Sequence, residues 1–232
     1  LKLVNSPFFG LKNPVSSITQ AVAIIGMRSL KSLVVAASTS SLLMPDLSGY
    51  GFKKNGLWDN SLANGALARH FAVFAAVHHV DAETACLVGL LRDIGMLVLG
   101  PFLQKNSVKL EYGSLGGESD IMFKEREALG FDHAWVGEKI SEKWNLPSNL
   151  HNVITSHHQK FKNVPDEDKQ IIAVVRLAER LAYKSGVGVE AEHPFDRNID
   201  TAILANTGLD ADHFKEIIAD VPDILSAVRM DF

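Results

Sequence analysis

Three separated stretches of this chain place charged or metal-capable side chains on otherwise apolar runs. They are Arg92-Asp93 within Leu90-Leu91-Arg92-Asp93-Ile94-Gly95, the pair His157-His158, and Glu179 within Leu177-Ala178-Glu179-Arg180. A fourth contributor is His133, which follows Asp132 at the start of a predicted helix. Burying such groups costs free energy unless they pair with one another or ligate an ion. Imidazoles and carboxylates converging from several helices are how helical bundles build metal centres in their interiors. The chemistry to look for is therefore divalent-cation binding or a buried ion-pair network.

The elements that must position these groups are helices. Apolar residues recur at helical spacing along nearly the whole chain, and sustained alternation is almost absent, so the predicted class is all α. Ser16 or Ser17 can cap a short helix whose Ile18, Ala21, Val22 and Ile25 form one stripe ended by Gly26. A second stripe through Leu30, Leu33, Val34 and Ala37 runs to Met44 and breaks at Pro45, Gly49 and Gly51. An alanine-rich helix is predicted from Trp58 to about Val80, and Asp81 caps the next. There Leu87, Leu91, Ile94 and Val98 predict one buried stripe, and Gly100-Pro101 predicts its end.

A polar, Gly-rich connection runs from Gln104 to Glu118, and the Lys and Glu side chains of the helix that follows predict a solvated face. Asp132 caps a helix carrying Val136, Ile140 and Trp144, and the next places Leu150, Ile154 and His157 or His158 on adjoining faces. From Asp166 onward, Ile172, Val175 and Glu179 share a stripe, so Glu179 should point with the apolar residues until Gly186 and Gly188 end the helix. Two further helices, Asp200 to Asn206 and Asp210 to about Val228, complete the chain, with a kink or break expected at Pro222.

Composition narrows the class. Of 232 residues, 47% are hydrophobic and 22% charged, with 17 Gly and 8 Pro, which supplies a sizeable core and excludes a disordered or collagenous chain. With 23 Lys and Arg against 27 Asp and Glu, a net charge of -4 and no basic run longer than a pair, no nucleic-acid partner is expected. The longest apolar stretches, around Ala21 to Met27, Phe71 to Val77 and Cys86 to Leu91, fall short of the about 18–20 residues that span a bilayer. The expected setting is the cytoplasm, with no membrane partner. Cys86, the single cysteine, is expected to be a buried thiol. The chain opens at Leu1 without a charged leader, and it is expected to continue upstream.

Several motifs occur in a specific order. Asn5-Ser6-Pro7-Phe8-Phe9-Gly10 precedes Ile18, Ala21 and Gly26; then come Trp58-Asp59-Asn60-Ser61-Leu62-Ala63 and Gly89-Leu90-Leu91-Arg92-Asp93-Ile94-Gly95. Glu127-Ala128-Leu129-Gly130-Phe131-Asp132-His133-Ala134-Trp135-Val136-Gly137, Trp144-Asn145-Leu146-Pro147, His157-His158 and Leu177-Ala178-Glu179 complete the set. From Leu1 to about Ala182 this order resembles an HDOD domain, the regulatory relative of the HD-type metal-dependent phosphohydrolases. The resemblance implies an all-α multi-helix bundle. Residues 1–57 would be the N-terminal helical part, and residues 58–232 the HD-like helical core with its C-terminal helices. The family's usual first helices would lie before Leu1.

In catalytic HD relatives one divalent metal is held by a histidine on the early helix, an adjacent His-Asp pair and a late aspartate. Those places correspond here to Asn60, Arg92, Asp93 and Glu179, of which only Asp93 is unchanged. Dinuclear relatives add three histidines, and His133, His157 and His158 stand at those places. The Gly-Tyr-Pro signature of cyclic dinucleotide phosphodiesterases would follow the paired histidines, where this chain reads Gln159-Lys160-Phe161-Lys162. An arginine is always protonated and has no lone pair to donate. The expectation is that Arg92 replaces a cation and bridges Asp93 and Glu179, giving a pocket of Asn60, Arg92, Asp93 and Glu179 with no cofactor and no catalytic residue. The alternative is that Arg92 turns to solvent and one divalent ion, Mn, Fe, Ni, Mg or Zn, is kept by Asp93, His133, His157 and His158.

The resemblance therefore implies a non-catalytic bacterial signal-transduction module that contacts other signalling proteins or a small anionic, phosphate-bearing ligand. A metal-dependent phosphohydrolase acting on a nucleotide or phosphoester is the alternative, and a purely structural helical scaffold is a third reading. Neither a Gly-x-Ser-x-Gly elbow nor a phosphate-binding loop is present in the sequence. His78-His79 fit a surface or capping role, and His70, His151, His193 and His213 fit ordinary imidazoles. Phe8, Phe9, Phe71, Phe74 and Phe131 are expected in the core, and Trp58 and Trp144 as packing anchors.

Overall fold

The computed structural model describes residues 15–24, 26, 27, 34, 47–74, 80–106, 108–110, 118–188 and 201–228. Among these, every regular element is a helix, as the periodicity requires. The expected stripe from Leu30 to Met44 (Val34 excepted) and residues Phe8, Phe9, His78, His79 and His193 lie outside the described residues.

Helix α1 (residues 18–24) begins at Ser17, whose hydroxyl oxygen accepts the Gln20 N–H at 3.1 Å. After a 3-10 turn at Ser48–Tyr50 comes α2 (Gly56–Phe74), which is buried on most of its circumference. Such a helix must be central. It packs against α3 (Ala82–Leu91), α8 (Asp166–Lys184) and α10 (Ala211–Val228). Close packing of α2 on α3 depends on Gly89, where a Cβ would come within 3.0 Å of the Asn64 backbone carbonyl. The Asp81 carboxylate caps α3 by accepting from Thr84 N–H at 2.9 Å.

Helix α3 ends at Leu91, and α4 (Met96–Lys105) starts five residues later. This overturns the expectation of one helix running to Gly100-Pro101. Pro101 lies exposed inside α4, which continues through it to Lys105. The break falls instead at Arg92–Gly95, because Gly95 meets the start of α6 (His133–Lys143): a Cβ there would sit 1.9 Å from the His133 carbonyl oxygen. The break also rotates the register between Ile94 and Val98, so Ile94 is buried while Val98 is exposed. Gly95→Ala should accordingly destabilise the chain by about 1–3 kcal/mol or more, measured by urea unfolding. Unchanged stability would mean that this corner is not tightly packed.

Helix α5 (Glu118–Leu129) leads to Asp132, whose carboxylate accepts Trp135 N–H at 2.8 Å and so caps α6. Helix α7 (Ser148–Ser156) follows Pro147, and α8 follows Pro165 with Asp166, Glu167 and Asp168 in its first turn, where carboxylates suit the helix dipole. Helix α8 ends before Gly186 and Gly188, both at positive φ. Helix α9 (Thr201–Thr207) packs on α8. Helix α10 continues through Pro222 without the expected break.

Trp58 and Phe71 are buried as expected, and Phe74 is partly buried. Phe131 and Trp144 depart from expectation, since both are exposed. Counted across the Arg92–Gly95 turn, Ala82–Lys105 has 24 residues, and its most apolar 18-residue window has a mean hydropathy of 1.8, enough by length and composition alone to cross a membrane. Of its most apolar window, 72% is buried inside the protein, and the turn carries the charged pair Arg92-Asp93.

Candidate functional site

The break between α3 and α4 turns two consecutive charged side chains inward. Arg92 is only 1% exposed and Asp93 2%. The Arg92 Nη2 lies 2.6 Å from Asp93 Oδ2, and its Nη1 lies 2.5 Å from Glu179 Oε1 on α8. Two asparagines of α2 complete the surroundings. Asn60 Oδ1 accepts from Arg92 Nη2 at 3.4 Å while its amide donates to the Val187 carbonyl at 3.3 Å. In the amide orientation that satisfies both neighbours, the Asn64 side-chain oxygen accepts from Arg92 Nε at 3.2 Å and from Glu179 N–H at 2.9 Å. A guanidinium fork thus stands between two buried carboxylates. Asn60, Arg92, Asp93 and Glu179 are brought together, and Asn64 joins them.

On the other side of Asp93 three imidazoles converge from the start of α6 and the end of α7. His133 Nε2 is 3.3 Å from His157 Nε2 and 2.9 Å from His158 Nε2. Asp93 Oδ1 is 3.6 Å from His133 Nε2 and 3.5 Å from His157 Nε2. Donors about 2.0–2.2 Å from one ion at tetrahedral angles lie about 3.3–3.6 Å from each other. The separations among Asp93, His133 and His157 match this spacing, while the His133–His158 separation is shorter. One ligand atom from each of Asp93, His133, His157 and His158 falls within 4.8 Å of the others. The ring orientations agree. His133 Nδ1 faces the Glu125 carboxylate at 2.7 Å, and His157 Nδ1 faces the Ile154 carbonyl at 2.8 Å. Those oxygens only accept, so both Nδ1 atoms carry protons, and in neutral rings both Nε2 atoms present lone pairs to the same point. Two lone pairs this close require a cation or a proton between them. The donor set fits a metal.

Charge within the site is set by burial and by the flanking ions. Burial alone would raise the Asp93 pKa, but the Arg92 guanidinium together with His157 and His133 outweighs it and holds the carboxyl at about 2. Burial works to lower His133, and the Glu125 carboxylate, aided by Asp93 and Asp132, lifts it to about 9. His157 is lowered by burial, partly offset by Asp93. His158 is lowered further, by burial and then by the positive charge of its neighbours. Two rings are therefore neutral near pH 7, and the third must lose a proton before it can ligate.

Glu125 escaped the sequence reading, which assigned the acidic and basic residues of α5 to a solvated face. It is fully buried, and its carboxylate accepts the His133 backbone N–H at 2.9 Å as well as the ring Nδ1–H. The signal was present: Ile121, Glu125 and the partly buried Leu129 lie four residues apart on one face, the same pattern that marked Glu179. Arg176 was also missed. Buried on α8, it donates from Nε to the His157 carbonyl and from Nη2 to the Gln159 carbonyl at 2.6 Å, with its guanidinium carbon 4.8 Å from the Phe161 ring centre. It holds the turn that presents the paired histidines. The remaining described histidines stand apart: His70 pairs with Asp220 at 3.1 Å, His151 meets Ser141 Oγ at 2.7 Å, and His213 pairs with Asp210 at 2.8 Å. Beside the cluster a cavity of about 420 Å³ is lined by Arg126, Phe131, Trp135, Thr155 and Gln159 among others.

Comparison with known proteins bears on this arrangement. Residues 1–160 match the HDOD domain family. An uncharacterized protein of Treponema pallidum (strain Nichols) is 27% identical over 180 residues, which cover 77% of this chain and 34% of that protein, so the chain spans about a third of that relative's length. An HDOD domain protein of unknown function from Geobacter sulfurreducens superposes with a TM-score of 0.72 at 20% identity, covering 97% of this chain and 78% of that one. A candidate signal transduction protein from Marinobacter aquaeolei VT8 gives 0.69 at 19% identity, covering 98% of this chain and 50% of that one. A candidate phosphohydrolase from Shewanella amazonensis SB2B gives 0.66 at 17% identity, covering 98% and 82% respectively. At these identities the likeness to solved structures is one of fold.

Proposed function

The chain belongs to the HDOD domain family, and from that premise we propose that it is a non-catalytic signal-transduction module built around a one-metal site. Asp93, His133, His157 and His158 would hold the ion, and Arg92 would take the place of a second cation. The observation that carries this reading is the division of the site at Asp93: Oδ2 meets the Arg92 guanidinium at 2.6 Å, while Oδ1 faces two imidazole nitrogens at 3.5 and 3.6 Å. Three imidazoles and one carboxylate suit Zn, Fe, Ni or Mn better than Mg, which prefers oxygen donors and retained water. When bound, the ion supplies positive charge at the point where the Nε2 lone pairs meet.

Four protein donors make a closed site, whereas hydrolytic metal centres keep a coordination position open for water. That argues for a structural or sensory role over turnover. Because the Arg92 fork is engaged by Asp93 and Glu179, the proposal places recognition on surfaces that contact other signalling proteins in the bacterial cytoplasm rather than on a phosphate at Arg92. The runner-up is a metal-dependent phosphohydrolase, supported by the convergence of the four donors.

The test is elemental analysis of untagged protein purified without chelator, beside a His157→Ala, His158→Ala double variant. About one equivalent of metal in the unmodified chain and essentially none in the variant is expected, with no hydrolysis of bis(p-nitrophenyl) phosphate by either. Chelator-sensitive hydrolysis would replace this reading with the phosphohydrolase. Metal-free protein that also declines added Zn or Co would remove the metal from the proposal.

A further inference from the structure

Tyr50, 75 residues before Glu125 in the chain, is fully buried and donates its hydroxyl proton to Glu125 Oε1 at 2.6 Å. Glu125 in turn holds the backbone N–H and ring Nδ1 of His133, and both of those residues are fully buried as well. Tyr50 closes the 3-10 turn Ser48–Tyr50. That turn is anchored on both sides, with Tyr50 N–H donating to the Leu47 carbonyl at 2.8 Å and Leu110 N–H to the Gly49 carbonyl at 2.7 Å. A continuous chain of hydrogen bonds therefore runs from the segment before α2 to the ring whose Nε2 faces Asp93, His157 and His158.

We propose that Tyr50 is a positioning residue which, acting through Glu125, fixes the His133 ring and couples the turn at residues 48–50 to occupancy of the histidine cluster. This rests on the reading of the cluster as a metal site. The physical reason is rotational. A carboxylate held at one oxygen can pivot about its last torsion, whereas Glu125 is gripped at Oε1 by Tyr50 and at Oε2 by the backbone of His133. Partners that orient a ligating imidazole in this way change metal affinity by about 10–100-fold when removed. Coupling of this kind is reciprocal: whatever moves the turn changes affinity at the cluster, and an ion at the cluster steadies the turn.

The experiment compares full-length wild type, Tyr50→Phe, Glu125→Gln and the double variant. Co²⁺ affinity is measured by titration of its visible absorption, and hydrogen exchange of residues 47–52 and 108–110 is followed with and without Co²⁺. Tyr50→Phe keeps the buried ring, so the fold is retained. The expected result is a loss of about tenfold for Tyr50→Phe and up to about a hundredfold for Glu125→Gln, with the double variant no weaker than Glu125→Gln alone. Co²⁺ should slow exchange at the turn in wild type and lose that effect in Glu125→Gln. A third readout needs no metal: the downfield Nδ1–H proton resonance of His133 should vanish in Glu125→Gln and move in Tyr50→Phe. Wild-type affinity together with an unmoved resonance in Tyr50→Phe overturns the proposal. Failure of wild type to bind Co²⁺ counts against the metal reading instead, and the resonance then decides the positioning role.

Discussion

Arg92→Ala should lower the stability of the metal-free chain by about 3–5 kcal/mol, the usual consequence of leaving one side of a buried ion pair without its partner. Asp93 and Glu179 would remain, 2% and 5% exposed, in an interior that Arg92 now neutralises. The pair as a whole need not be strongly stabilising, since desolvating three ions offsets much of their attraction. Removing one member is a different matter, because the two carboxylates then face each other with the charge between them gone. Urea unfolding of Arg92→Ala and of Arg92→Ala with Glu179→Gln checks this, and the second change should recover part of the loss. A destabilisation below about 1 kcal/mol in the single variant would contradict the role assigned to the guanidinium.

Metal affinity should climb steeply with pH, by about tenfold per unit from about pH 6 to pH 9, since one proton must leave His133 for each ion bound. The His133 pKa is raised to about 9, burial being outweighed by the Glu125 carboxylate, so the proton and the ion compete for the same Nε2 over this range. The sign for the metal-free chain is opposite. A folded pKa above the unfolded value contributes stability that is complete below the ordinary histidine value and is lost as pH rises through about 9. The metal-free chain should thus weaken with rising pH over the window in which the loaded chain strengthens. Calorimetric titration in buffers of different ionisation enthalpy should show about one proton released per ion at pH 7. Affinity that does not vary between pH 6 and 9 would mean that His133 is not a ligand.

The residues behind both expectations were legible to different degrees. Arg92, Asp93, His133, the paired histidines and Glu179 stood out as polar groups on apolar helical stripes, and the sequence order tied them to one family. Glu125 carried the same mark but was hidden by the Lys, Arg and Glu residues around it on α5. Arg176 lay within an apolar run whose buried face was correctly read, yet its targets are carbonyl groups, which leave no trace in side-chain pattern. The Gly100-Pro101 pair looked like a helix stop, whereas the actual break was set by contact between Gly95 and the His133 carbonyl, nearly forty residues apart.

Helical periodicity, caps at Asp81 and Asp132 and the identity of the ionisable groups are properties of neighbours along the chain, so the linear order was enough to establish the helices and the kind of chemistry they carry. Which oxygen of Asp93 faces the arginine and which faces the imidazoles depends on how α2, α3, α6, α7 and α8 meet. Only that packing placed Arg92 in one half of the site and left three nitrogen donors in the other. The same packing joined Tyr50 to His133 across 83 positions of sequence, a distance over which no local pattern operates.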